Sequence, residues 1–125
     1  MNLRGATALV TGGTSGIGRA IARSLLDAGT KVAVTGRDEK RLAETAQALG
    51  ALAVRADVSN EADVLRTYDE VLRTFGHIDI LVNNAGKGIF KPLMEMQRSD
   101  FDSVLATNLT GAMLMAREAA RHFIT

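Results

Sequence analysis

A doubly wound α/β fold around a parallel sheet is the architecture this chain predicts, and three features predict it. Short apolar runs alternate with stretches of helical periodicity along the whole length. A glycine-rich turn, Thr11-Gly12-Gly13-Thr14-Ser15-Gly16-Ile17-Gly18, stands between the first apolar run and the first amphipathic one. Pro92 is the only proline in 125 residues, and no low-complexity linker divides the chain into two domains.

Strand one is predicted at residues 6–11, an apolar run ending in the glycine turn. Helix one follows at 17–28, with Ile17, Ala20, Ile21, Ser24, Leu25 and Ala28 on one face and Gly29 as its stop. Strand two lies at 31–35, centred on Val32, Ala33 and Val34. Helix two lies at 38–49; Leu42, Ala46 and Leu49 share a face, and Gly50 closes it. Strand three is at 51–56. Ser59 or Asn60 caps helix three, where Val64, Tyr68, Val71 and Phe75 recur at helical spacing. Gly76-His77 turns the chain into strand four at 78–82, and a long connection follows at 83–98. Ser99 with Asp102 three residues on reads as a capping box for helix four at 100–123. Right-handed crossovers between successive strands set the sheet order 3-2-1-4. The chain changes direction between strands one and four, where a crevice forms at the carboxyl ends of the strands. The glycine turn, Asp57, residues 83–86 and the long connection all fall on that edge.

Composition narrows the classes further. Hydrophobic residues make up 46 % and the formal net charge is +1, a balance with no electrostatic footprint for nucleic acid or an anionic membrane. Without cysteine there is no disulfide framework and no thiolate metal site. His77 and His122 have no companions at metal or triad spacing, so no metal is expected. The start of the chain carries no signal-peptide h-region, and no apolar stretch is long enough to span a bilayer. A cytoplasmic setting is the expectation.

The glycine turn is the strongest chemical signal. A strand, a glycine-rich turn and a helix N-terminus in that order make a cradle for a dinucleotide diphosphate. Gly12, Gly16 and Gly18 leave room for close approach, while backbone N–H groups and the positive end of the helix dipole face the phosphates. The alternative is a structural turn that binds nothing.

Four motifs in order carry a family resemblance over the whole chain. They are the glycine turn, Asp57-Val58 after strand three, Asn83-Asn84-Ala85-Gly86 after strand four, and Thr107-Asn108-Leu109 in helix four. Together they resemble the short-chain dehydrogenase/reductase family, whose nucleotide-binding unit is a Rossmann-like sheet. The chain reads as the first half of such a domain, residues 1–125, truncated after the fourth strand and its helix. The resemblance implies cofactor contacts from Gly12, Thr14, Ser15, Gly16, Ile17, Gly18, Arg37, Asp57, Val58, Asn84, Ala85 and Gly86. Asp57 would accept a hydrogen bond from the adenine amino group. Asn83 would bond backbone on both sides and hold the open end of strand four. Asn108 would hold a water in a proton relay; a buried amide bonded to a neighbouring carbonyl is the alternative.

The end of strand two selects the nucleotide. A carboxylate about 20 residues past the turn grips the ribose 2′-hydroxyl of NAD(H), and an arginine accommodates a 2′-phosphate. This chain reads Thr35-Gly36-Arg37-Asp38. Gly36 stands at the carboxylate position, so NADP(H) is expected over NAD(H), unless Asp38 or Glu39 pairs with Arg37 and blunts it.

The resemblance also implies a tyrosine proton donor, a lysine four residues later and a serine. The single tyrosine is Tyr68, on the core face of helix three, with Leu72 four residues on. Losing a positioned proton donor cuts rate by about 10²–10⁴-fold, so this chain is expected to bind cofactor and turn over little. Strand four exposes an apolar edge, and helix four is apolar around much of its circumference. A homo-oligomer through strand 78–82 and helix 100–123 is therefore expected. A self-assembling structural half domain without activity is the competing reading. Helix four runs out with neither glycine stop nor polar tail, which reads as a cut chain, whether Thr125 is a natural terminus, a proteolytic end or an expression boundary.

Overall fold

A computed structural model describes residues 1–124; Thr125, the residue on which the reading of the terminus rests, lies outside them. The elements run β1 (Thr7–Val10), α1 (Gly16–Asp27), β2 (Lys31–Gly36), α2 (Glu39–Leu49), β3 (Leu52–Arg55), α3 (Glu61–Phe75), β4 (Ile80–Val82), α4 (Arg98–Leu105) and α5 (Ala112–Phe123). All strands are parallel, in the order β3-β2-β1-β4. This is the doubly wound, Rossmann-like sheet that the alternation of patterns predicts.

Strand alternation divides the core into two layers. Leu9 and Ala33 face α3 and α5, where Val64, Tyr68, Val71, Leu114, Met115 and Ala119 are buried. Ala8, Val10, Val32 and Val34 face α1 and α2 and meet Ala22, Leu42 and Leu49. The sheet is thus apolar on both faces, as parallel sheets are.

Several predicted details are corrected. The buried stripe of α1 is Gly18, Ala22 and the half-buried Ile21, Leu25 and Leu26. Ala20, Ser24 and Ala28 are exposed, and Ile17 is 73 % exposed. The helix is rotated so that Gly18, with no side chain, sits against the turn. Strand four is shorter than 78–82. At Asp79 the main-chain N–H bonds the Thr7 carbonyl (2.9 Å), but the Thr7 N–H is taken by the Asp79 carboxylate (2.8 Å), so a side chain replaces one rung of the ladder. Asn60 caps α3, its side chain accepting from the Asp63 N–H at 3.1 Å.

The last helix starts earlier than predicted and is not a continuous α-helix. It begins at Arg98, and the capping pair is Gln97 and Asp100, whose carboxylate accepts the Gln97 N–H at 3.0 Å. Asp102 instead pairs with Arg98 on the surface at 3.5 Å. Lys91 holds Asp100 from the loop side at 2.6 Å, which explains why the cap forms there. Between α4 and α5, Ala106–Gly111 form a π-helical turn. Gly111 there lies against Val58, where an added Cβ would stand 2.6 Å from a Val58 methyl. The widened turn carries the buried Thr107 and the exposed Asn108.

Candidate functional site

The carboxyl ends of all four strands open onto one cavity of about 370 Å³. It lies at the point where the connections from β1 part to opposite sides of the sheet. Gly12, Thr14 and Ser15 come from the turn after β1. Thr35, Gly36 and Arg37 form the second wall, joined by Asp38 and Arg41 from the head of α2. Ala56, Asp57 and Val58 follow β3; Asn84, Ala85 and Gly86 follow β4; Thr107 reaches in from the π turn.

Backbone geometry makes the turn a cradle. Gly12 has φ +66°, and a Cβ there would stand 2.9 Å from the Ala85 Cα. A Cβ on Gly18 would fall 2.3 Å from the Gly12 carbonyl oxygen and the same distance from the Asn84 side chain. These two positions need glycine because three backbone segments converge there. The convergence is tied by side chains. Thr11, 1 % exposed, accepts at Oγ1 from the N–H groups of Asn84 (3.0 Å) and Ala85 (2.9 Å) and donates to the Val82 carbonyl (3.4 Å). The Asn84 amide donates to the carbonyls of Thr11 and Gly12 at 3.2 and 3.1 Å. Asn84 therefore clamps the turn. Asn83 instead donates to the Ala112 carbonyl at 3.1 Å and ties the end of β4 to α5.

Electrostatics differ across the cavity. Asp57 Oδ1 accepts from the Ser59 hydroxyl (2.6 Å) and N–H (2.9 Å). The Ser59 hydroxyl bond is the main cause that holds the Asp57 carboxyl below its ordinary value, with the nearby Arg37 charge adding to it. Asp63 accepts the Asp57 N–H at 2.9 Å, and that bond is the largest cause lowering its own pKa. At the β2 end, Asp38 is occupied as the cap of α2, accepting from the N–H groups of Lys40 and Arg41. Glu39 is paired with Arg55 at 3.3 Å, and Arg55 also donates to the Arg37 carbonyl at 3.3 Å. Among the described residues the Arg37 guanidinium has no hydrogen bond or ion pair; Asp38 and Glu39 beside it are engaged elsewhere, and Asp57 feels its charge without pairing with it.

The sequence pattern described as short chain dehydrogenase matches residues 6–125. The chain belongs to that family. It is 38 % identical over 126 residues to a sorbitol dehydrogenase of Cereibacter sphaeroides, covering 99 % of this chain and 49 % of that protein. A crystal structure of a 3-ketoacyl-(acyl-carrier-protein) reductase from Brucella melitensis, complexed with NADH, superimposes with a TM-score of 0.93 at 39 % identity, over 97 % of this chain and 51 % of that one. A short chain dehydrogenase from Bacillus anthracis gives a TM-score of 0.93 at 28 % identity, over 98 % and 53 % of the two chains. The chain spans about half the length of the curated relatives it matches.

Of the residues the short-chain dehydrogenase motifs single out, Gly12, Thr14, Ser15, Arg37, Asp57, Val58, Asn84, Ala85 and Gly86 line the cavity. Gly16, Ile17, Gly18 and Asn108 do not. Gly16 opens α1 with φ +55° and no neighbour within 4 Å of an added Cβ. Asn108 is exposed and forms a two-point amide bridge to Lys87, accepting its N–H at 2.8 Å and donating to its carbonyl at 2.9 Å. It is therefore an exposed amide bonded to a neighbouring peptide unit, not a buried one. Tyr68 is far from this chemistry: its hydroxyl donates to the Met115 carbonyl at 2.7 Å beneath α5, and burial pushes its pKa up. Arg41 and Ala56 were not singled out by sequence, and Thr35, Asp38 and Thr107 stand within quoted motifs without being given a cavity-lining role. Arg41 was findable from its spacing, four residues past Arg37; the entry of Thr107 into the cavity was not, because the π turn that aims it there has no plain sequence signature.

Proposed function

We propose that residues 1–125 are the NADP(H)-binding half domain of a short-chain dehydrogenase/reductase whose overall reaction is hydride transfer between NADP(H) and a carbonyl or alcohol. The observation that carries the cofactor choice is the unengaged Arg37 beside Gly36, with Asp38 and Glu39 held by the α2 cap and by Arg55. A guanidinium that forms no ion pair or hydrogen bond among the described residues, at the end of β2, suits a 2′-phosphate. The glycine cradle supports the diphosphate reading, since Gly12 and Gly18, without Cβ atoms, let the turn after β1, the start of α1 and the segment after β4 close on one another at the cavity. The Asp57 oxygen left free by Ser59 suits an adenine amino group, and Ala85 and Gly86 give the ribose beyond the diphosphate a close approach. When bound, the nicotinamide would supply or accept the hydride. The chain's own contribution is binding and orientation, because its only tyrosine is locked under α5.

Fluorescence titration tests this reading. NADPH should bind saturably and more tightly than NADH, Arg37→Ala should narrow the difference, and Gly12→Val, which sets a side chain against Ala85 in the cavity wall, should abolish binding of both. Tighter binding of NADH by the unmodified chain would refute the NADP(H) preference. Little ketone reduction is expected from the purified chain.

A second reading concerns assembly. β4 is a sheet edge, and Phe101, Leu105, Leu109 and Met113 are exposed apolar side chains on the last helix. Unpaired edges and apolar stripes favour self-association. Light scattering at increasing concentration should show an oligomer, and a strict monomer would overturn this reading.

A further inference from the structure

We propose that Thr14 is a specificity-determining residue: its methyl group bars a side chain from position 36 and so keeps this chain from gripping the ribose 2′-hydroxyl of NAD(H). The inference rests on the dinucleotide reading and deepens it. Gly36 is the last residue of β2 and lines the cavity. Its backbone is not left-handed, so nothing in its main chain calls for glycine. What calls for glycine is a neighbour. A Cβ on residue 36 would stand 2.8 Å from Thr14 Cγ2, closer than real Cβ atoms come, with Thr14 Oγ1 and Leu42 Cδ1 each 3.6 Å away.

Thr14 is poorly placed to retreat. Its carbonyl accepts from the hydroxyl of Thr45, a fully buried residue of α2, at 3.4 Å. The preceding residue is pinned to β2 by a bond from the Gly13 N–H to the Thr35 carbonyl at 3.1 Å. The side chain is β-branched, and two of its three staggered rotamers leave a heavy atom where Cγ2 now stands. The residue in the glycine turn therefore decides what the end of β2 is allowed to carry. Arg37 selects by attraction; Thr14 selects by excluding the competing carboxylate.

The two sites are separable by paired substitutions. Gly36→Ala should lower the melting temperature, and Thr14→Ala combined with Gly36→Ala should recover most of the loss. That readout needs no cofactor. In NADH titrations, Gly36→Asp alone should gain little, whereas Thr14→Ala with Gly36→Asp should bind NADH about tenfold more tightly than Gly36→Asp does, the scale of one charge-assisted hydrogen bond. The proposal fails if Gly36→Ala is as stable as the unmodified chain, or if Gly36→Asp alone binds NADH as well as the double variant. Failure of the unmodified chain to bind either nucleotide would sink the dinucleotide reading instead, while the melting temperatures would still decide the steric coupling.

Discussion

Thr11 is the joint on which the site depends, and removing its hydroxyl should loosen the cavity and the fold together. Thr11→Val keeps the shape of the side chain and its β propensity but deletes an oxygen that accepts two N–H groups and donates to one carbonyl. The Asn84 N–H retains a bond to the Val82 carbonyl at 3.1 Å. Among the described residues the Ala85 N–H keeps no other partner. Of the three bonds lost, two leave partners that keep other bonds, so the cost is set by the Ala85 bond, about 1 kcal/mol, and by leaving that partly buried donor unpaired, about 1 kcal/mol more, about 2 kcal/mol in all. In a domain of this size each kcal/mol moves the melting temperature by about 4 °C, so a fall of about 8 °C is expected. Thermal unfolding followed by circular dichroism measures it, with Thr11→Ser as the control that keeps the hydroxyl. Nucleotide affinity should fall as well, because Ala85 borders both the cavity and Gly12. A melting temperature within 2 °C of the unmodified chain would show that Thr11 is not the joint described, 2 °C being about half of one kcal/mol on the same scale.

Gly18→Ala places a methyl group 2.3 Å from the Gly12 carbonyl oxygen and should weaken NADPH binding by at least about tenfold, or ~1.4 kcal/mol; unchanged quenching of NADPH fluorescence would contradict the close-approach argument. Tyr68→Phe removes the bond to the Met115 carbonyl and should cost about 1 kcal/mol in chemical denaturation with no change in nucleotide affinity, since Tyr68 lies under α5 away from the cavity. Asp57 and Asp63 both have carboxyl pKa values lowered from the ordinary 3.8. Their stabilisation is therefore complete above that value and is lost as pH falls below it through the folded-state values. Asp63→Asn should reduce stability at neutral pH and flatten the acid limb of a stability-against-pH curve; an acid limb as steep as before would refute the assignment.

How legible was the site? The glycine turn, Asp57, and Asn84 to Gly86 were readable because each sits at the end of an apolar strand, and a parallel sheet carries all such ends to one edge. Arg37 was readable for the same reason. Its freedom was not, because Asp38 and Glu39 were equally close in the chain, and only the helix cap and Arg55 decide where those carboxylates go. Asn83 holds the end of β4 through the Ala112 carbonyl, but the clamp that Asn84 puts on the turn was not legible, because it depends on how the segment after β4 packs against the turn after β1. Periodicity places helix one but not its rotation: the pattern puts Ile17 on the core face, whereas Gly18 is what fits against the turn.

By itself the sequence determined the order of elements, the parallel sheet 3-2-1-4 and the edge where chemistry gathers, because periodicity and glycine placement are local and crossover handedness is general. Tertiary structure alone decided the π turn at Ala106–Gly111, the side chain that completes the β4 ladder, and the contact between Thr14 and position 36. Those features arise where segments distant along the chain compete for the same space or the same hydrogen bond, and such contests have no local pattern to betray them.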